Sequence, residues 1–406
     1  MCSSVKCHRR NPRILEKPRT GCDFAPDAQY NCRMPRATAR HPLIVDAHLD
    51  IAYNVLYKQR DYRRSALTTR AIERNSPVEK QSGQCTVGLP DMIRGRVGLC
   101  FGTIFVEPYS RKLGEGWPAY RDAREAHTLG MAQLDFYRRW AEAYPSVTLV
   151  TTQRELAAVC RRWGVEESRE ASSVGSRFST PHCVGIVLLM EGADPILEPK
   201  ELERWYERGL RIVGPAWDTT RYAGGTWSGG RLSKLGRELL DVMAQFGVIL
   251  DVSHMSHASL YEALDAFEGR HVIASHSNPY RYAPTPRHLP DRAIEMIAER
   301  GGVIGVVLYN RFLKKDWSGK KEDVTLDDVV RMVDHICQVT GSADHVGIGS
   351  DYDGGLGYND IPRELNTIRD HYKIGDALLE RGFTEQHVAQ IMRGNWLRIL
   401  REALPT

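Results

Sequence analysis

The sequence predicts an α/β protein built as a (β/α)8 TIM-type barrel, with a polar insertion and C-terminal helices. Three observations carry this expectation. From about Pro42 onward, β-type apolar runs alternate with helix-type segments. The runs are nearly continuous in hydrophobicity, as strands covered on both faces require. There are eight of them, near 43–47, 97–105, 184–190, 210–213, 248–252, 271–275, 302–308 and 346–350. A doubly wound open sheet is the alternative arrangement of the same pattern.

Helices are expected between these strands at about 119–142, 199–208, 234–246, 256–268, 290–300 and 325–339, with two more at 363–382 and 384–402. Ser233 and Thr325 suit N-cap positions, and Asp327 and Asp328 follow the second of them, where the helix dipole favours carboxylates. Leu326, Val329, Val330, Val333 and Ile336 recur at helical spacing. Two stretches break the rhythm. Gly164 to His182 is rich in Ser and Glu and reads as a surface insertion. Tyr222 to Gly230 is a glycine-rich loop, either a mobile lid or a plain connection.

Charge is unevenly spread over the 406 residues. Residues 1–40 carry nine Lys/Arg against three acids; with a whole-chain net charge of +4, the rest stands near −2. Residues 1–40 therefore read as a basic N-terminal segment, and 41–406 as one near-neutral domain with no nucleic-acid surface. No run approaches the roughly 20 apolar residues of a membrane span, and the head lacks a secretory signal's apolar core. The nine cysteines show no pairing pattern, which points to reduced thiols and a cytoplasmic location.

Five apolar runs end in metal-capable residues, which points to a metallohydrolase site at the strand ends. After Ile44-Val45, His48 and Asp50 stand two apart, so an extended chain turns both to one side. Glu191 closes Ile186 to Met190; a carboxylate at that depth needs a partner or a cation, and it can bridge two. His254 and His276 follow consecutive strands 22 residues apart, a normal βα repeat. Asp351 follows Val346 to Ser350, suited to exchange a proton with an activated water. Asp353 competes for that role but reads better as a turn residue before Gly354-Gly355. Arg287, in Thr285-Pro286-Arg287-His288, has the planar fork that suits a substrate carboxylate.

Taken in order, these motifs resemble the membrane (renal) dipeptidase family of zinc peptidases. The likeness rests on Asp46-Ala47-His48-Leu49-Asp50, Met190-Glu191-Gly192, Leu250 to Ser256, Ala274-Ser275-His276-Ser277, Arg287 to Asp291, Gly349 to Gly354 and Gly394-Asn395-Trp396-Leu397, spanning roughly 43–402. It implies two zinc ions: one on His48 and Asp50, the other on His254 and His276, with Glu191 between them. It implies Asp351 as the acid/base, Arg287 on the terminal carboxylate of a dipeptide (often with a D-residue second), and a homodimer. One departure stands out. Trp217 occupies a position, after the fourth strand, where the family often has a substrate-contacting His, so it narrows the pocket, stacks on a substrate or packs on the glycine-rich loop. A lactone or non-peptide amide hydrolase, or an inactive binding protein on the same fold, are the alternatives.

Overall fold

The structure is a computed structural model that describes residues 42–111, 116–165 and 183–406. Among these, nine strands pair, and every ladder is parallel. They are β1 (Ile44–Leu49), β2 (Val97–Phe105), β3 (Val147–Leu149), β4 (Val184–Glu191), β5 (Leu210–Gly214), β6 (Ile249–Asp251), β7 (Val272–Ile273), β8 (Ile304–Val306) and β9 (Val346–Ile348). The chain is thus α/β with a curled parallel sheet running β1-β2-β4-β5-β6-β7, and β8 pairs with β9 separately. Single bridges, Ala274 to Ile304 and Leu49 to Tyr352, mark the two seams between these sheets.

Both faces of the sheet are covered, as the continuous apolar runs anticipate. Val45, Ala47, Leu99, Phe101, Val187 and Leu189 meet Trp163, Trp396 and Leu400 in one apolar cluster. Their strand neighbours Ile44, Cys100, Ile186 and Leu188 join a larger one. The caps hold as expected. Ser233 accepts from Gly236 N at 2.9 Å, and Thr325 heads helix Leu326–Thr340 with a reciprocal bond to Asp328.

Several elements differ from expectation. β3 is an extra short strand that shares with β5 one edge of β4. Residues 51–94 hold four short helices not foreseen from the sequence, at Ile51–Leu56, Ala66–Glu73, Pro77–Ser82 and Leu89–Arg94. The helix expected at 384–402 is interrupted by a π turn at Gln390–Gly394. Beyond that turn, Asn395 donates to the Ala343 and Val346 carbonyls and Trp396 to Ile348 O, so the wider turn faces both side chains toward β9. Gly347 makes room for the indole, which a methyl group there would overlap.

The basic segment 1–40, with Cys2, Cys7, Cys22 and Cys32, lies outside the described residues, as does 166–182 of the polar insertion. Cys85, Cys100, Cys160, Cys183 and Cys337 are free thiols. No helix among the described residues is long and apolar enough to cross a membrane.

Candidate metal centre

Each chemistry-bearing side chain sits where a strand gives way to a turn. His48 is in the last residues of β1, and Asp50 stands at the N-cap position of the helix that follows, its side chain making no capping bond. Glu191 ends β4, His254 and His276 follow β6 and β7, and Asp351 follows β9. His254 and Asp351 adopt left-handed backbone (φ 65° and 61°), a conformation rarely held by such residues without a surrounding that enforces it. For Asp351 that surrounding includes Gly354, where a methyl group would overlap its carboxylate.

The six side chains converge. Glu191 Oε2 lies 3.5 Å from His48 Nε2, while Oε1 lies 3.0 Å from His254 Nε2 and 3.4 Å from His276 Nε2. Asp50 Oδ1 is 4.0 Å from His48 Nε2. Three groups of ligand-type atoms lie within 4.8 Å of one another: His48-Asp50-Glu191, Glu191-His254-His276 and His48-His276-Asp351. The first two share Glu191.

This donor set fits divalent cations. His254 Nε2 and His276 Nε2 stand 2.9 Å apart. Two neutral imidazoles turn lone pairs on each other at that distance unless a cation or a proton sits between them. Ligands about 2.0–2.1 Å from a tetrahedral zinc lie about 3.3 Å from one another, close to the separations here. His48 Nε2 is buried and makes no hydrogen bond.

A family model described as membrane dipeptidase, peptidase family M19, matches residues 33–405. The chain belongs to the membrane dipeptidase family. Among curated relatives it is 27% identical over 366 residues to an uncharacterised dipeptidase of Schizosaccharomyces pombe, covering 88% of this chain and 80% of that one. Among solved structures it resembles the dipeptidase AC, a metallo peptidase, with TM-score 0.70 and 23% identity over 90% of this chain and 99% of that one. It also resembles a metallo peptidase from Rhodobacter sphaeroides liganded with a phosphinate mimic of L-Ala-D-Ala, with TM-score 0.69, 22% identity and the same coverage. These structural likenesses establish that the family's fold is shared.

Within this family member, electrostatics divide the histidines. Burial pulls His254 down to about 4, with Arg287 adding to it, and takes His276 well below its ordinary range. Both are ready as neutral ligands. Burial would lower His48 too, but Glu191 lifts it to about 9, with smaller help from Asp50 and Asp351. Burial and the neighbouring carboxylates Asp50 and Glu191 hold Asp351 well above its usual range, against the pull of His48 and Arg287. Three buried carboxylates crowded together call for positive charge.

One hydroxyl sets two of the imidazoles. Ser275 Oγ donates to Asp251 Oδ2 at 2.5 Å, which leaves its lone pairs to accept from His276 Nδ1 at 2.8 Å and His48 Nδ1 at 3.4 Å. Protons on both Nδ1 atoms free both Nε2 lone pairs for the centre. In the sequence Ser275 and Asp251 stand out only as neighbours of ligand-type residues. Ser275→Ala is expected to weaken divalent-cation affinity roughly 10- to 100-fold; competition with a chromogenic chelator measures it, and an unchanged affinity removes the role.

The remaining predicted residues fall as follows. Asp353 is fully buried and engaged by Thr86 N, Thr86 Oγ1, Tyr62 Oη and Arg60 Nη1. Burial would raise its carboxyl, but Arg60 and these hydrogen bonds hold it below the ordinary range, so it anchors the turn. Arg287 is buried, with Nη2 donating to His276 O at 2.6 Å and Nη1 to Ser277 Oγ at 2.9 Å. Trp217 lines the cavity over the centre, its ring 5.1 Å from Phe105 and 6.1 Å from His254. The glycine-rich loop is tied down, with Thr226 donating to His254 O, Gly224 N to Ser259 Oγ and Ser256 Oγ to Gly230 O. Its exposed Trp227 also lines the cavity.

Proposed function

We propose that this chain is a zinc-dependent dipeptidase with two cations per chain. His48 and Asp50 would hold one, His254 and His276 the other, and Glu191 both. The observation that carries this is the division of Glu191, whose one oxygen faces His48 and whose other faces His254 and His276. We also read residues 41–406 as one catalytic domain closed into an eight-stranded barrel; the single bridges at the two seams support closure. The family motifs support a homodimer and acceptance of a D-residue at the second position.

When bound, the cations supply Lewis acidity to the scissile carbonyl and lower the pKa of the attacking water. Asp351 accepts the proton of that water and returns it to the leaving nitrogen, a task matched to a carboxyl held above its usual range. Trp217 has no imidazole to offer the developing oxyanion; with Phe105 it walls a cavity of about 320 Å³, a volume suited to a small substrate.

The test is chelation followed by zinc add-back, assayed on L,L- and L,D-dipeptides beside a lactone panel. Dipeptide turnover should vanish with the chelator and return as zinc reaches two per chain. Turnover of lactones alone, or two bound zinc ions with no turnover of any substrate, would overturn the assignment.

A further inference from the structure

Among the described residues, Lys58 is the only Lys or Arg lining the cavity over the metal centre, which it shares with Asp50, Glu191, His254 and Asp351. Its placement follows from the local chain. Helix Ile51–Leu56 ends with Lys58 N and Arg60 N both bonded to Asn54 O, and Gln59 between them is left-handed (φ 59°). That reversal sends Arg60 to Asp353 and Glu73 and leaves Lys58 between two rings. Lys58 Nζ stands 5.4 Å from the ring centroids of Tyr53 and of Trp117.

Lys58 is 5% exposed, yet its ammonium makes one long hydrogen bond, to Asp353 O at 3.4 Å. Among the described residues no carboxylate forms an ion pair with it. The two rings offset part of the desolvation of a buried cation but supply no acceptor. A second polar group on the same cavity is also unfilled: Ser82 Oγ is buried without a hydrogen-bond partner. Burial, with Arg60, draws the Lys58 amine down to about 8, against the pull of Asp50, Asp353 and Glu73, so it remains largely protonated at neutral pH. Arg287, a second cation near the centre, is not among the described residues lining the cavity; its terminal nitrogens are engaged by Ser277 Oγ and His276 O, and its Nε is buried without a partner.

We propose that Lys58 receives a carboxylate of the substrate. This rests on the dipeptidase reading and adds a specificity-determining residue to it. The carboxylate belongs either to the dipeptide's C-terminus or to an acidic side chain, and the substrates below separate the two.

The zinc-loaded full chain, its Lys58→Met variant and its Lys58→Arg variant are compared on a neutral dipeptide, the same dipeptide as its C-terminal amide, and an amide-capped dipeptide with an acidic side chain. Lys58→Met should raise KM about 10- to 100-fold for the substrate whose carboxylate Lys58 holds, with kcat nearly unchanged and Lys58→Arg recovering most of the loss. A substrate without that carboxylate should be indifferent. A loss confined to the neutral dipeptide assigns the C-terminus; one confined to the capped acidic dipeptide assigns the side chain. Equal loss on every substrate, or none on any, overturns the proposal. Calorimetry with a phosphinate dipeptide mimic, free and as its methyl ester, separates this from the parent reading. Lys58-dependent binding of the free acid without dipeptide turnover sinks the peptidase assignment alone. Turnover with Lys58-independent KM and binding sinks the Lys58 proposal alone, and no binding of either mimic sinks both.

Discussion

Replacing Asp351 with Asn is expected to lower kcat between about 100- and 10,000-fold on the zinc-loaded enzyme while leaving metal content intact. The substitution is a clean one. Asn tolerates the left-handed backbone that position 351 adopts, and it keeps the shape that Gly354 accommodates. What it lacks is a site for the proton. His48, Asp50, Glu191, His254 and His276 remain, so zinc measured by plasma mass spectrometry should stay near the wild-type value. A kcat within threefold of wild type would remove Asp351 from the reaction.

Gly349→Ala is expected to destabilise the chain by about 3 kcal/mol or more and to lower the zinc it retains after loading. A methyl group at position 349 would overlap the Ser275 carbonyl oxygen, and one at Gly305 would overlap the same atom from the neighbouring strand. Those are backbone atoms, so no rotamer change relieves the clash. Gly305 N to Ala274 O at 2.8 Å and Ser277 N to Gly305 O at 2.7 Å hold this seam. Displacing Ser275 also moves the hydroxyl that sets His48 and His276. A urea midpoint and zinc stoichiometry matching wild type would contradict this account of the seam.

The metal-capable side chains were legible because each closes an apolar run, and burial at a strand end leaves a His or carboxylate few bland explanations. The ladder was less legible where strands are short. β7 spans two residues and β8 three, so hydrophobicity alone marks their place but not their pairing. Lys58 was silent. In Leu56-Tyr57-Lys58-Gln59 it looks like a solvated lysine, and its burial comes from Trp117, distant in sequence, and from the turn at Gln59. Asp353 read correctly as a turn residue, although its partners Arg60, Tyr62 and Thr86 lie far upstream and gave no local signal. The π turn at 390–394 had no periodic signature, since β9 dictates it through Asn395 and Trp396.

The two thinly bridged seams have a consequence for folding cooperativity. His48 stands on β1, His276 beyond β7 and Asp351 beyond β9, so the centre straddles both sheets. A ligand bound there adds its binding free energy to the junction between the two sheets, which single bridges mark. With the centre empty, the β8–β9 ribbon is expected to open before the rest of the chain, so limited proteolysis should cut the metal-free chain faster than a metal-loaded one.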